Sequence, residues 1–437
     1  MNIKVAKFGG SSLADAIQMN KVKEIIESDP ARRYVVVSAP GKRFDGDNKI
    51  TDLLYLCKTH IDHNIEYGQV FQVIQDRFRA IELNLGVDAN LEKEFEEIDR
   101  NLREGASADY IASRGEYLNA KLVAAYLGYD MVDTAGLVLF DERGHFLDEA
   151  TNEKLKEVVK QHPKAVFPGF YGSYPDGRIK TFSRGGSDIT GSLVARAAGA
   201  EVYENWTDVS GFMVADPRIV KNPKPIDTVT YLELRELSYM GASVLHEDAI
   251  YPARAMNIPI NIRNTNDPEH PGTIILADAP LDNDQIIAGI AGSKDYIAIS
   301  LYKNMMNSEV GFIRRCLSIL EDYGVAVEHL PSGIDTLSVV LSSKSVEGKL
   351  ADILDEIERR LAPDRIDVYE DLALIATVGR GMNRRRGTSA MLFGALGEAG
   401  VNIRMIDQGS SELSIIVGVE MRDFETAVRA IYDAFVK

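Results

Sequence analysis

Two stretches near the C-terminus are copies of one another. Residues 311–341 (GFIRRCLSILEDYGVAVEHLPSGIDTLSVVL) align without gaps on residues 387–417 (GTSAMLFGALGEAGVNIRMIDQGSSELSIIV). Gly311 falls on Gly387, Leu320 on Leu396, Gly324 on Gly400, Gly333 on Gly409, and Leu337-Ser338 on Leu413-Ser414. Each copy opens on a glycine, continues as an amphipathic helix, breaks at a second glycine and runs on as two alternating strands. A further helix follows each, with apolar stripes Leu350, Ile353, Ile357, Leu361 and Phe424, Val428, Ile431, Phe435. The pattern is βαββαβ, twice. It suits a paired small-ligand sensor; a duplication serving only dimerisation is the alternative.

A chain of 437 residues is too long for one core, which fits two or three domains. Residues 3–8 (IKVAKF) form an apolar-rich strand ending at Gly9-Gly10-Ser11-Ser12, and a helical face of Met19, Val22, Ile25 and Ile26 follows. The β-branched run YVVVSAP (34–40) then reads as a buried parallel strand, so the opening is a βαβ unit. Residues 51–128 are mostly helical, and short strands are expected at 131–133, 137–140, 165–167 and 201–204. A composition shift to NDPEHPG and ADAPLDND over 266–285 sets a boundary near 284. The expected domains are 1–283, 284–369 and 370–437, with the strand near 286–291 assignable to the last.

Lys plus Arg number 49 against 66 Asp plus Glu, a formal net charge of −17. That balance argues against nucleic acid or an anionic membrane as principal partner, while leaving room for local anion sites. Two cysteines, Cys57 and Cys316, make neither a disulfide framework nor a thiolate zinc site. No run approaches the roughly 18 apolar residues of a membrane span, and the N-terminus lacks an apolar signal core. A soluble, cytoplasmic protein is expected.

Glycine turns leading into helices expose unpaired N–H groups that favour anions. Gly9, Gly10, Ser11 and Ser12 make one such turn, with Lys7 just ahead of it. TFSRGGSDITG (181–191) makes a second: Arg184 offers a fork for carboxylate or phosphate, and Asp188 falls in the first helical turn, where capping is the alternative role. A third is WTDVSG (206–211), followed by Ala215-Asp216-Pro217-Arg218. Ser113-Arg114-Gly115-Glu116 puts an acid near the start of another helix, where a solvated glutamate is the alternative. Together these sheet ends make a phosphate site, without a Walker P-loop, HExxH, DFG or GxGxxG signature.

The motifs VAKFGGSSL (5–13), ASRGEYL (112–118), FPGFYGS (167–173), SRGGSDITG (183–191), WTDVSGFMVADPR (206–218) and MGASVLH (240–246), with the duplicated tail, resemble those of the aspartate kinases. These are members of the amino-acid kinase family that carry tandem ACT domains. The resemblance spans the chain and implies a three-layer α/β kinase domain with a mainly parallel sheet, then two ferredoxin-like ACT domains. It implies ATP-dependent phosphorylation of the side-chain carboxylate of L-aspartate to 4-phospho-L-aspartate, the entry to lysine, threonine, methionine and isoleucine synthesis. ATP with Mg²⁺ would be the co-substrate, with no organic prosthetic group and no dedicated metal site.

By the same resemblance Lys7 contacts the transferring phosphoryl group, while Gly9, Gly10 and Ser11 line the cradle. Ser38, Thr51, Glu116, Phe170, Arg184 and Ser187 match aspartate-pocket positions; Glu116 would take the ammonium and Arg184 the α-carboxylate. Asp188 would hold Lys7, and Thr207, Asp208, Met213, Asp216, Arg218 and Ser243 match the nucleotide side. Ser183, Ile189, Ser243, Glu247 and Met213 depart from the commoner pattern, Ser243 standing where a lysine is usual. A substrate carboxylate with a pKa of about 3.9 is already the nucleophile, so no general base is needed. Repulsion between it and the triphosphate is the difficulty, and a cation and aligned N–H groups relieve that.

The first loops of the ACT copies read KNMMNSEVGF (303–312) and GRGMNRRRGT (379–388). Glu309 and Glu328 make the first acidic, suiting an effector with an extra amine. Lysine is therefore expected there, on Met306, Gly311, Phe312, Ile313, Val327 and Glu328. The arginines 384–386 read as a solvated face. Pairing of ACT domains predicts a homodimer or a dimer of dimers. Two other readings stay open: a kinase of the same family acting on another carboxylate, and a non-catalytic amino-acid sensor.

Overall fold

The computed structural model describes residues 2–183, 185–241, 247–279 and 286–436, with the side chains of 247 and 248 left aside. The expected junction near 284, Arg184 and Ser243 lie outside the described residues. The chain divides into two compact units. One holds residues 1–212, 226–231 and 244–279; the other holds 213–225, 232–243 and 280–437. Among the described residues no helix is long and apolar enough to cross a membrane.

The first unit is built on an eight-stranded sheet in the order Thr228–Thr230, Thr273–Leu276, Ile260–Asn264, Val202–Thr207, Lys4–Phe8, Arg32–Val37, Ala165–Pro168, Asp130–Met131. Neighbours are parallel except Ile260–Asn264 against Thr273–Leu276. Such a sheet is covered on both faces, and its strands are correspondingly apolar. Ala6, Phe8, Val35 and Val37 point into a core filled from helices Ala16–Ser28, Ile50–Asp62, Gly68–Leu85, Leu91–Arg103 and Ala108–Leu127. The period-2 alternation of a strand sends Lys7 to the other face. Helix Gly186–Ala198 packs there.

Four local expectations need correction. The helix after Gly9-Gly10 starts only at Ala16, because Asp15 caps it by accepting from the Gln18 N–H at 2.9 Å. Ser11–Leu13 forms a separate 3₁₀ turn before it. Residues 137–140 do not join the sheet; they make isolated bridges to Ala135, Ser173 and Phe146, and Phe140 packs on Phe146 and Phe182. Glu116 is not near a helix start, since the helix begins at Ala108 behind the Ser107 cap. Strands Ile260–Asn264 and Thr273–Leu276 were not expected.

The second unit contains a five-stranded antiparallel sheet, Thr336–Ser342, Gly289–Tyr302, Arg365–Val378, Ser414–Glu420, Ile403–Asp407. Its two long strands each serve both copies of the repeat. Residues 296–302 open the first copy and 372–378 the second, with the 76-residue offset that separates Gly311 from Gly387. By that same offset 365 onward, which closes the first copy, corresponds to 289 onward. The closing strand of the second copy therefore precedes the first copy in sequence, pairing Gly289 with Val378. Asp295 at φ 68° and Asp371 at φ 55° mark the breaks between half-strands, where the pairing register shifts. In the first copy Ile297, Ile299 and Leu301 pack on Phe312, Cys316, Ile319, Ile353, Ile357 and Leu361.

Candidate active site

The C-terminal ends of four adjacent parallel strands, at Phe8, Val37, Pro168 and Thr207, supply the turns singled out in the sequence. Ligands of open α/β sheets bind at such ends. Backbone bonds stitch the turns together: Gly9 N–H to Trp206 O at 2.9 Å, Ser38 N–H to Phe8 O at 3.2 Å, Gly169 N–H to Val37 O at 2.9 Å. Gly10 and Gly41 touch, with Gly41 N–H on Gly10 O at 2.8 Å; a Cβ on Gly10 would sit 2.9 Å from Ala39 O. Only hydrogen fits, and the 3₁₀ turn Ser11–Leu13 begins there with its leading N–H groups unbonded within the turn. Buried Arg77 fastens the same region, donating to Ala14 O at 3.0 Å, Asn48 O at 2.9 Å and Gly41 O, and pairing with Asp47 at 3.1 Å.

Lys7 is only 7% exposed, and its Nζ lies 2.5 Å from Asp188 Oδ1 in the first turn of helix Gly186–Ala198. Asn205 donates to the same oxygen at 2.8 Å, and its own Oδ1 lies 3.5 Å from Lys7 Nζ. Tyr203 Oη donates to the Asp188 backbone carbonyl at 3.1 Å, fixing where the helix begins. Gly191 permits that approach, since a Cβ there would lie 2.5 Å from the Tyr203 hydroxyl.

Glu116 lies in helix Ala108–Leu127 and is 5% exposed. Burial pushes its carboxyl up to about 8, although the Ala39 N–H and Arg114 favour the charged form. Its Oε2 is buried with no hydrogen-bond partner among the described residues. Gly115 lets the helix press on the Ser38–Gly41 turn, a Cβ there falling 2.8 Å from Ala39 Cβ, and Asn119 donates to Ser38 O at 2.7 Å. Thr51, half-buried, is the second residue of helix Ile50–Asp62. Phe170 has φ 81°, an uncommon conformation for a bulky residue, held by its N–H on Thr190 Oγ1 at 3.2 Å. Gly186 makes room for it and Gly169 for Ser187: Cβ atoms there would lie 2.7 Å from the Phe170 ring and 2.6 Å from Ser187 Cβ, respectively. The FPGFYGS and SRGGSDITG segments thus meet at Phe170 and Ser187.

Of the expected nucleotide positions, Thr207 and Asp208 end the strand Val202–Thr207 in the first unit, while Met213, Asp216 and Arg218 belong to the second. Asp216 accepts from the Arg218 N–H at 2.8 Å, and the guanidinium beside it holds its carboxyl below the usual range. Of the expected effector positions, Met306 and Phe312 are buried, Gly311 caps helix Phe312–Asp322 at φ 83°, Ile313 is partly exposed, and Val327 and Glu328 are half-buried. The Tyr239 phenol donates to the Glu328 carboxylate. Glu309 does not offer free charge: Lys303 at 3.0 Å and Arg315 both pair with it.

Sequence reasoning missed Asn205, Asn119 and Arg77. Asn205 sits in register beside Lys7, and no local pattern discloses strand pairing. Asn119 stands one helical turn beyond the recognised Glu116, a spacing that could have pointed to it.

Residues 2–264 match the model of the Amino acid kinase family, and residues 375–435 match an ACT domain model. Aspartokinase 3 of Bacillus subtilis is 40% identical over 449 residues, covering 99% of this chain and 98% of that protein. The crystal structure of Clostridium acetobutylicum aspartate kinase superposes with a TM-score of 0.93 at 52% identity, covering 100% of both chains. E. coli aspartokinase III, in an R-state complex with aspartate and ADP, matches with a TM-score of 0.75 at 27% identity over 100% of both chains. Its T-state complex with lysine and aspartate gives 0.75 at 26%, again over 100% of both. The chain therefore belongs to the amino acid kinase family and, within it, to the aspartokinases.

Proposed function

We propose that this protein transfers the γ-phosphoryl group of MgATP to the side-chain carboxylate of L-aspartate, yielding 4-phospho-L-aspartate and ADP. The observation that carries this reading is the buried Lys7–Asp188 pair beside the glycine turn at the sheet ends. The E. coli relative crystallised with aspartate and ADP supports the same substrates. Lys7 and the N–H groups of Gly10 and Ser11 offset the charge on the phosphoryl oxygens, while Asp188 fixes the direction of the ammonium. The unpartnered Glu116 oxygen takes the ammonium of aspartate, Arg184 its α-carboxylate, and Ser38, Thr51, Phe170 and Ser187 shape the pocket. Thr207 and Asp208, at the end of strand Val202–Thr207, serve the nucleotide. Mg²⁺ arrives with ATP as part of the substrate, held mostly by phosphate oxygens and water. The nucleophile is ionised at neutral pH, so orientation and charge neutralisation carry the rate.

Lysine is the proposed effector of the ACT pair, supported by the lysine complex of the E. coli relative. Inhibition requires that lysine bind one global state better than another. Exposed Met305, Val310 and Leu317 around helix Phe312–Asp322 support pairing of two copies, and two free buried cysteines suit the cytoplasm. The reaction would open the route to lysine, threonine and methionine. Hydroxylamine trapping tests the substrate: aspartate should give a hydroxamate with ADP, and glutamate and N-acetylglutamate should not. Trapping with glutamate alone would overturn the assignment. Calorimetry with lysine, threonine and methionine tests the effector, and heat from threonine alone would refute lysine.

A further inference from the structure

Lys7, buried as it is, must hold its ammonium in one orientation to serve a phosphoryl group, and Asp188 alone does not dictate that orientation. An aspartate χ2 torsion is broad and nearly two-fold, so a carboxylate with one partner can swivel and carry its cation with it. Asn205 removes that freedom. It is 4% exposed and lies in register beside Lys7 on the neighbouring strand, so both side chains leave the sheet on the same face, toward helix Gly186–Ala198. Its Nδ2 donates to Asp188 Oδ1 at 2.8 Å, and its Oδ1 faces Lys7 Nζ at 3.5 Å. The chemistry fixes which way the amide points. Reversed, it would set its N–H against an ammonium and its carbonyl against a carboxylate.

We infer that Asn205 is a positioning residue of phosphoryl transfer, which orients the Asp188 carboxylate and directs the Lys7 ammonium at the transferring group. The inference rests on the aspartate kinase reading. Two of the three ammonium donors turn back toward Asp188 and Asn205, leaving the third for an anion. The neutral amide matters as much as its shape. A carboxylate at 205 would place Lys7 between two negative charges and take the Lys7–Asp188 pair from neutral to net negative, opposing the incoming triphosphate.

Asn205→Asp and Asn205→Leu, assayed as full-length chains with aspartate and MgATP between pH 5.5 and 8.5, test this. Asn205→Asp should lower kcat about tenfold or more at pH 8, with KM for aspartate within about twofold, since Glu116 and its helix are untouched. Its deficit should shrink as pH falls and the added carboxylate takes up a proton. Asn205→Leu should lower kcat with no such recovery, because nothing there titrates. A merely structural role would give a loss that tracks the melting temperature and is the same at every pH in both variants; that result, or a wild-type kcat in Asn205→Asp throughout, overturns the role of Asn205. A wild-type enzyme inert toward aspartate would instead overturn the underlying reading of function.

Discussion

If Glu116 holds the substrate ammonium as proposed, it ties substrate affinity to pH, with a slope that can be calculated. Burial raises its carboxyl from 4.5 to about 8, one oxygen takes the Ala39 N–H, and the other has no partner among the described residues. On that proposal the substrate ammonium binds only the ionised form. At pH 7 about one site in ten is competent, so KM for aspartate should stand about tenfold above its plateau, and about a hundredfold at pH 6. The stability linkage has the opposite slope. Below 4.5 both folded and unfolded chains hold this proton, and between 4.5 and about 8 only the folded chain keeps it. Stability contributed by the raised value is thus fully present below 4.5 and lost as pH rises toward 8, up to about 5 kcal/mol at 1.36 kcal/mol per pH unit. Glu116→Gln keeps the shape without the charge. It should stabilise the ligand-free protein at pH 8.5 and raise KM for aspartate by about two orders of magnitude, the loss of a charged hydrogen bond of about 3 kcal/mol. Steady-state kinetics from pH 6 to 8.5, with thermal melts of both proteins, are the assay. A flat KM in the wild type, or an unchanged KM in Glu116→Gln, would refute the reasoning.

Lys7→Ala should reduce kcat by at least about two orders of magnitude, as removal of a preorganised charge donor does; steady-state turnover with saturating aspartate and MgATP reads this directly. Arg77→Met leaves the carbonyls of Ala14, Gly41 and Asn48 without this donor, while half-buried Asp47 keeps Arg43, so urea unfolding should show a loss of about 3 kcal/mol. Gly115→Ala places a methyl 2.8 Å from Ala39 Cβ. Displacement of that turn from Glu116 should raise KM for aspartate well above any change in KM for ATP, which initial-rate kinetics in both substrates would reveal.

How far the sequence discloses this molecule depends on the range of the interaction. The helix face of Met19, Val22, Ile25 and Ile26 is legible because its buried residues follow from local periodicity. Residues 34–37 are legible because a strand covered on both faces must be apolar throughout. The repeat shows at once, and the strand near 286–291 is assignable to its second copy from the sequence, but the register that pairs Gly289 with Val378 leaves no local trace. Lys7 and Asp188 could be named from motifs, whereas Asn205 depends on the register between Lys4–Phe8 and Val202–Thr207. Glu309 misleads for a related reason: an acidic letter in a loop does not reveal the Lys303 and Arg315 that neutralise it.

The central claim is that the ionised side-chain carboxylate of aspartate attacks the γ-phosphoryl group directly. Aspartate labelled with ¹⁸O in the side-chain carboxylate, turned over with unlabelled MgATP and examined by ³¹P NMR, tests this most directly. The bridging oxygen of the acyl phosphate should carry the label and shift the phosphorus resonance. A product phosphorus without ¹⁸O, or a shift seen only when the α-carboxylate is labelled, would contradict it.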